Sequence, residues 1–179
     1  MSPQPSLRTK RTQDAIAQAA RSILQNGPTK NLSMVSLATT SGIARATVYN
    51  HIGEKQDIYR LLADNYLEEV TSLISKTNSL VSGLNALADF VATDPAISGL
   101  REHDQKALVA AITYVHSMPD QIAKLVMDSL LTWNVSADLI AADVVIRWLT
   151  SYAINPGSAI DRQVGAEVLA SALLKDARS

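Results

Sequence analysis

Apolar residues recur at helical spacing along almost the whole chain, and this periodicity constrains the fold more than any other feature. Alanine and leucine, both strong helix formers, supply much of the apolar content. No segment alternates between apolar and polar residues in the manner of a strand. We therefore predict an all-α fold with about nine helices by this spacing. The first helix shows the pattern at positions i, i+3, i+4, i+7 and i+8 with Ile16, Ala19, Ala20, Ile23 and Leu24.

The composition excludes several classes of protein. The chain has no cysteine, which rules out disulfides, Cys-ligated zinc and thiol nucleophiles. No apolar run approaches the roughly 18 residues that a membrane-spanning helix requires. The opening residues, MSPQPSLRTKR, are basic but are not followed by the apolar segment of a secretory signal. We therefore expect a cytoplasmic protein with no membrane partner.

Charge is distributed unevenly along a chain whose formal net charge is −1. Residues 1–60 contain eight basic and three acidic side chains, a formal charge of +5. Residues 61–179 contain eight basic and fourteen acidic side chains, a formal charge of −6. A basic front on an acidic body suggests that an anionic partner such as nucleic acid binds the front only. Charge alone leaves open a chance clustering of surface residues.

Two short helices joined by a tight turn lie in the basic part of the chain. Ser33 can cap the first, Gly42 ends it, and residues 44–52 form the second. A longer helix that ends at Gly27 precedes them, so the three elements make a helix-turn-helix unit. In such a unit the second helix of the pair enters the major groove of DNA. We divide the chain into a disordered basic arm (1–11), a helix-turn-helix DNA-binding domain (12–53) and a larger C-terminal helical domain (54–179) that begins with a connecting helix (54–76).

The second short helix concentrates polar groups in about two turns. Arg45 is the best candidate base reader, because its guanidinium can bond O6 and N7 of guanine together. Thr47 can contact a phosphate or place its methyl group against thymine, and Tyr49 and His51 have the reach for phosphates. The alternatives are a solvated Arg45, a core Tyr49 and a helix-capping His51. The predicted DNA-contacting residues are Ser33, Arg45, Ala46, Thr47, Tyr49, Asn50, His51 and Lys55.

Basic and polar residues outside that helix extend the predicted interface. Ser33 and Lys55 lie at helix N-termini, where free amides and the helix dipole favour a phosphate. Arg8, Lys10 and Arg11 can reach an adjacent groove if the first residues form a flexible arm.

The segment SMVSLATTSGIARATVYNHIGEKQDIYRLL, with the helix before it, resembles the TetR-type transcriptional regulators over residues 12–62. Two positions depart from that family's pattern: Ile52 stands where phenylalanine is usual, and Ser36 precedes Leu37 where an acidic residue and isoleucine are frequent. The matching positions are Leu37-Ala38, Gly42-Ile43, Thr47-Val48-Tyr49, His51 and Lys55.

The resemblance implies an all-helical homodimer of two-domain subunits that binds a near-palindromic operator in double-stranded DNA. It implies that the C-terminal domain dimerises through its last two long helices and often encloses a small-molecule effector whose binding releases the DNA. Several large side chains could line such a pocket, although residues of this kind more often belong to an ordinary core or a dimer interface. They are Phe90, Tyr114, His116, Trp133 and Trp148, with Met118, Met127 and Tyr152 as further candidates.

A dimer interface is also indicated by the sequence itself. Residues 137–153 are apolar on nearly every side, which is typical of a helix buried on every side. Asp143 and Arg147 interrupt it, either as a pair along the helix surface or as a buried polar pair at the dimer interface or the pocket wall. Gly165, Ala166 and Ala170 are small enough to let a partner helix approach. We predict interface residues Val145, Trp148, Val164, Val168, Leu169 and Ala172.

The remaining motifs give no candidate for catalysis. Glu102-His103-Asp104 resembles a metal-binding run, but adjacent helical residues point in different directions, so we predict no metal site there and no cofactor. No nucleophile elbow, glycine-rich phosphate loop or zinc-binding helix motif is present, so we predict no enzyme. The function predicted is a repressor that an unknown small molecule releases from its operator. The alternatives are control by a protein partner and a helical ligand-binding or scaffold protein that binds no DNA.

Overall fold

The structure is a computed structural model that describes residues 7–117, 119–135 and 138–176, and this part of the chain consists of helices and their connections, with no strand. The all-α prediction is therefore confirmed. None of the described helices is both long enough and apolar enough to cross a membrane. The ten α-helices are α1 (Leu7–Gln25), α2 (Met34–Ser41), α3 (Arg45–His51), α4 (Lys55–Ile74), α5 (Leu80–Thr93), α6 (Pro95–His103), α7 (Gln105–Ser117), α8 (Pro119–Thr132), α9 (Leu139–Ile154) and α10 (Ala159–Asp176), and a 3₁₀ turn (Thr29–Asn31) follows α1.

The described residues contain one more α-helix than the nine predicted because the chain breaks at Asp104, between α6 and α7. Asp104 leaves the helical conformation, with φ −154° and ψ 65°. Its side chain accepts a hydrogen bond from the amide of Ala107 (3.2 Å), which satisfies an otherwise unpaired donor in the first turn of α7. Apolar spacing does not reveal such a break, since the residues on either side remain good helix formers.

The predicted disordered arm is wrong for residues 7–11, which form the first turns of α1. Leucine, arginine and lysine favour a helix, and Thr12 donates its hydroxyl to the carbonyl of Arg8 within the first turns (3.0 Å). Lys10 also forms an ion pair with Glu68 on α4 at 2.8 Å, which connects the N-terminal end of α1 to a neighbouring helix. Residues 1–6 of the predicted arm lie outside the described residues.

Two separate apolar cores organise the chain. The first lies among α1 to α4 and includes Ile16, Leu37 and Ile58, with Ala96 contributed by α6. The second lies among α5, α8, α9 and α10 and includes Leu84 and Val145 among others. The N-terminal unit, defined here as α1 to α3, therefore shares its core with two elements of the following part, α4 and α6.

Candidate nucleic-acid interface

The turn between α2 and α3 has the local geometry that the sequence predicts. Ser33 caps α2, accepting from the amide of Ser36 (3.1 Å), while the hydroxyl of Ser36 accepts from the amide of Ser33 (2.9 Å). Gly42 ends α2 with φ +69°, a left-handed conformation that side-chain-bearing residues rarely adopt. The chain can therefore reverse direction within a few residues and begin α3 at Arg45.

The two sides of α3 differ sharply in burial. Val48 is fully buried, and Ile52, just past the end of the helix, is 1% exposed, so both anchor α3 to the first core. Tyr49, adjacent to Val48 and therefore on another side of the helix, keeps 53% of its surface exposed. The predicted residues that are exposed on α3 are Arg45, Ala46, Tyr49 and Asn50, whereas Thr47 and His51 are half-buried.

At the N-termini of α2 and α4, groups that were predicted to bind phosphate already have hydrogen-bond partners within the chain. The hydroxyl of Ser33 is exposed but is already used in the α2 cap. At the start of α4 the carboxylate of Asp57 accepts from the amide of Glu54 at 2.8 Å, in the position a bound phosphate would take. Lys55 is exposed, and its ammonium group donates to the carbonyl of Thr29 (3.4 Å). Lys55 is thus placed to act as a single cation rather than as part of a helix N-terminal anion site.

Not all of the cations in residues 1–60 are available to an external anion. Lys10 and Arg21 are paired with carboxylates of α4, and Arg60 is paired with Asp57. Within the described residues, the basic side chains that make no ion pair in this part of the chain are Arg8, Arg11, Lys30, Arg45 and Lys55.

Arg21 faces the interior and links α1 to α4 and α6, which was not predicted from the sequence. Its guanidinium donates to both carboxylate oxygens of Glu69, at 2.5 and 2.9 Å, and lies 3.7 Å from the carboxylate of Asp94. The same group lies 4.0 Å from the centre of the Tyr66 ring, a cation–π contact. Because the partners are 45 or more positions away on other helices, a single-helix pattern gives no sign of them.

Asp94 completes this polar cluster and explains how a buried carboxylate is tolerated there. It accepts hydrogen bonds from the Tyr66 hydroxyl (2.7 Å) and from the amide of Ile97 (2.9 Å), and so caps α6. Burial and the neighbouring Asp94 carboxylate raise the pKa of Tyr66 far above its usual value, so its hydroxyl remains a donor. Tyr66 also meets Phe90 edge to face, with ring centres 5.9 Å apart.

The predicted pocket residues do not share one environment. Phe90 packs on Tyr66, and Trp133 covers Gly83, where even one methyl group would collide with the indole ring. The imidazole of His116 lies 3.2 Å from the hydroxyl of Thr150, while Tyr114 is 61% exposed. Trp148 stacks edge to face with Tyr152, and Met118 lies outside the described residues.

Among the clefts on the described part of the surface, two open ones are not lined by any of those five candidates. One, of about 410 Å³, lies between the end of α1 and α6 and is lined mainly by polar groups, including Gln25, Glu102 and His103. The other, of about 370 Å³, lies between α5 and α10, beside Val81 and Leu174. The run Glu102-His103-Asp104 does not converge: the His103 imidazole lies 3.9 Å from Glu102, whereas Asp104 bonds to Thr29.

The helices predicted to dimerise expose one apolar side and bury the other. Val145 is 1% exposed within the second core, so its predicted place at a dimer interface is wrong. Ala166 and Ala170 are also buried against helices of the same chain, and so do not leave room for a partner helix. Trp148 and Leu169 are half-buried against that core, and Ala172 is exposed. The exposed large apolar residues of α10 include Ile160 (74% exposed), Val164 (51%) and Val168 (67%), and those of α9 include Ile140 (74%) and Val144 (45%).

Asp143 and Arg147 form a pair 2.6 Å apart along one turn of α9, with both side chains about half or more exposed in the single chain. The hydrogen bond to Asp143 raises the pKa of Arg147. Within one protomer this is a surface pair, so the alternative of a buried pair requires a partner chain.

The fold is that of TetR-type regulators. The chain is similar to the TetR family repressor AlkX from Dietzia sp. strain DQ12-45-1b, implicated in biodegradation of n-alkanes, with 20% identity, a TM-score of 0.65 and coverage of 90% of this chain and 97% of that one. It is also similar to a putative TetR-family transcriptional regulator from Mesorhizobium loti MAFF303099, with 19% identity, a TM-score of 0.54 and coverage of 95% and 98%. No family model and no curated protein matches the sequence.

Proposed function

We propose that the protein is a dimeric, sequence-specific DNA-binding transcriptional regulator of the cytoplasm, most simply a repressor. The observation that carries this proposal is the two-sided α3. Its apolar side is anchored in the core through Val48 and Ile52, while Arg45, Tyr49 and Asn50 are exposed to solvent. The exposed Lys55 follows four residues after the end of the helix. A short polar helix held rigidly at a surface, after a tight turn, is the arrangement that reads base edges in the major groove. The shared fold with TetR-type regulators supports the same function.

Dimerisation supplies the second reading helix. The exposed residues of α10 lie at i, i+4 and i+8, so Ile160, Val164 and Val168 form one continuous apolar stripe, and α9 adds Ile140 and Val144. Pairing α9 and α10 with their symmetry mates covers both stripes about a two-fold axis. Two copies of α3 then face successive major grooves of a near-palindromic operator, roughly 34–36 Å apart or somewhat further.

Release by a small molecule is the mode of control we propose. An effector that binds the C-terminal domain more tightly in one arrangement of the two N-terminal units shifts the population toward that arrangement. Since the operator fixes the distance between its half-sites, an arrangement with a different distance between the units binds it less well.

Duplex binding at two salt concentrations tests the proposal. A preferred duplex selected from a random pool is bound by the purified chain, and fluorescence anisotropy gives the affinity at about 50 and 200 mM salt, where phosphate contacts predict a large loss. Arg45→Ala is expected to weaken this duplex by about 1–3 kcal/mol and to relax the preference at one base pair per half-site. Lys55→Ala is expected to weaken all duplexes alike and to reduce the salt slope by about one.

Arg60→Ala is the matched control, because it removes the same charge from a guanidinium already bonded to Asp57 at 3.0 Å. It is expected to leave base preference unchanged. A chain that binds no duplex, or binds equally at both salt concentrations, contradicts the proposal and favours the helical ligand-binding or scaffold alternative.

A further inference from the structure

Besides the contacts of Ala96 and of its cap Asp94, helix α6 is packed directly against the N-terminal unit at two further points. Gly99 faces α1 so closely that a Cβ atom there would lie well under 3.0 Å from the carbonyl oxygen of Leu24, which places the two backbones in contact. At the end of α6 the carboxylate of Asp104 accepts hydrogen bonds from both the amide (3.0 Å) and the hydroxyl (2.6 Å) of Thr29, in the turn after α1. These bonds lower the pKa of Asp104, as expected for a carboxylate held ionised by donors.

On another side, the same helix is hydrogen-bonded to the C-terminal end of α9. Arg101 donates through Nε to the carbonyl of Ala153 (2.9 Å) and through Nη2 to that of Tyr152 (3.4 Å). The last carbonyl groups of a helix lack partners within it, so a guanidinium completes their hydrogen bonding and complements the helix dipole. Because the guanidinium is planar and bonds two carbonyls, it restrains direction as well as distance.

We infer that α6 sets the position of the N-terminal unit relative to α9, and that Arg101 and Asp104 are positioning residues for the simultaneous binding of two half-sites. This inference rests on the proposed function. Helix α6 has nine residues and is therefore a rod of about 13 Å with the N-terminal unit on one side and the end of α9 on another. In a two-fold dimer that forms through α9 and α10, a shift of α6 relative to α9 moves the N-terminal units of both protomers. The distance between the two units then changes, whereas the distance between the half-sites on the DNA is fixed.

A spacing series measures this role separately from affinity. The half-sites of the selected duplex are separated by the preferred spacer, or by a spacer one or two base pairs shorter or longer, and a single half-site is included. Arg101→Met removes both contacts to α9, and Thr29→Val removes one contact to Asp104 at constant shape. Each variant is expected to reduce the ratio of affinities for the best spacer and the other spacers about three- to tenfold, because the loss of one or two hydrogen bonds corresponds to a factor of that size. The affinity for a single half-site is expected to stay unchanged.

Lys76→Met is the control for the loss of one cation, because Lys76 is exposed and lies between α4 and α5, outside α6, α9 and α10. It is expected to keep the full spacing preference. Arg101→Lys, which retains the charge but has no Nε, gives an intermediate result and serves if Arg101→Met folds poorly. Equal loss of affinity for every spacer and for the half-site would overturn the inference, since it would show a role in folding the unit.

A distance measurement decides the inference without DNA. The chain has no cysteine, so Gln18→Cys on α1 and Gln163→Cys on α10, both exposed, accept one pair of spin labels. Labelled chain diluted with unlabelled chain reports the distance within one protomer by pulsed dipolar spectroscopy. We expect a narrow distribution for the parent and a broadened or displaced one for Arg101→Met. If the distance distribution is unchanged in Arg101→Met, the inference is overturned, whether or not the chain binds DNA. If the distribution broadens but the chain binds no duplex, the inference stands and only the proposed function is contradicted.

Discussion

Removing the guanidinium of Arg21 is expected to destabilise the junction of α1, α4 and α6 more than removing any exposed cation of α1. Arg21→Met loses two charge-assisted hydrogen bonds to Glu69, each worth about 1.5–3 kcal/mol, and a cation–π contact with Tyr66 worth about 1–2 kcal/mol. Three features reduce that sum. Glu69 is 39% exposed and can regain water, Asp94 keeps two other donors, and the buried Nε of Arg21 has no partner among the described residues.

The expected net loss is therefore about 2–3 kcal/mol, below the roughly 3–5 kcal/mol typical of breaking a fully buried pair. This is a large share of the 5–15 kcal/mol that folded domains have in total. Lys10→Met is the matched control, because Lys10 joins the same two helices through Glu68 but both side chains are about half exposed. Water and salt screen an exposed pair, so it stabilises the fold much less than a buried one.

Urea unfolding followed by circular dichroism, at one protein concentration for all variants, measures both changes by linear extrapolation. Arg21→Met combined with Glu69→Gln completes a double-mutant cycle, for which we expect a coupling energy of about 1–2 kcal/mol. A loss for Arg21→Met no larger than that for Lys10→Met, or a coupling energy near zero, would refute the reasoning. The cluster would then be packing around a solvated cation, with no net stabilisation by the ion pair.

Three further changes test other contacts. Gly99→Ala places a Cβ atom against the backbone of Leu24, which cannot rotate away as a side chain could. It is therefore expected to lower the free energy of unfolding, measured in urea, by about 3 kcal/mol or more. A loss under about 1 kcal/mol would show that α6 can move away from α1. Since the pKa of Asp104 is lowered in the folded state, its contribution is complete above about pH 5 and is lost as the pH falls through its folded-state value. The stability difference between the parent and Asp104→Asn should therefore shrink on acidification, and a constant difference contradicts this assignment. Val168→Glu is expected to sediment as a monomer at micromolar concentration with its helicity intact, whereas Gln163→Glu on the same helix stays dimeric; a dimeric Val168→Glu places the interface elsewhere.

Local features of the chain were predictable because their causes lie within a few residues of each other. The Ser33 cap depends on Ser36, three positions away, and the end of α2 depends on the backbone freedom of Gly42 alone. Likewise Val48 and Ile52 are four positions apart, so helical spacing predicts that one side of α3 carries both of them into the core.

Features that depend on distant partners were not predictable in this way. A basic residue in an amphipathic helix is normally a solvated one, so Arg21 gives no local sign that it faces Glu69 and Asp94. The helix break at Asp104 is stabilised in part by Thr29, 75 positions earlier, and the early start of α1 by the ion pair that Lys10 makes with α4. In each case the deciding energy comes from a contact between helices rather than from the propensity of the segment.

The incorrect prediction for Val145 has a different cause, and it sharpens the proposal of a dimer. Apolar periodicity reports how much of a helix avoids water but not which neighbour covers each side. On α9, Val145 packs into the chain's own core, whereas Val144, the adjacent residue and therefore on another side of the helix, remains 45% exposed. On α10 the small residue Ala166 meets the chain's own helices, and Val168 is 67% exposed. To pack into the core of a monomer, each of these helices needs only one apolar side. The second apolar side is exposed in the single chain, and association with another copy would remove it from water.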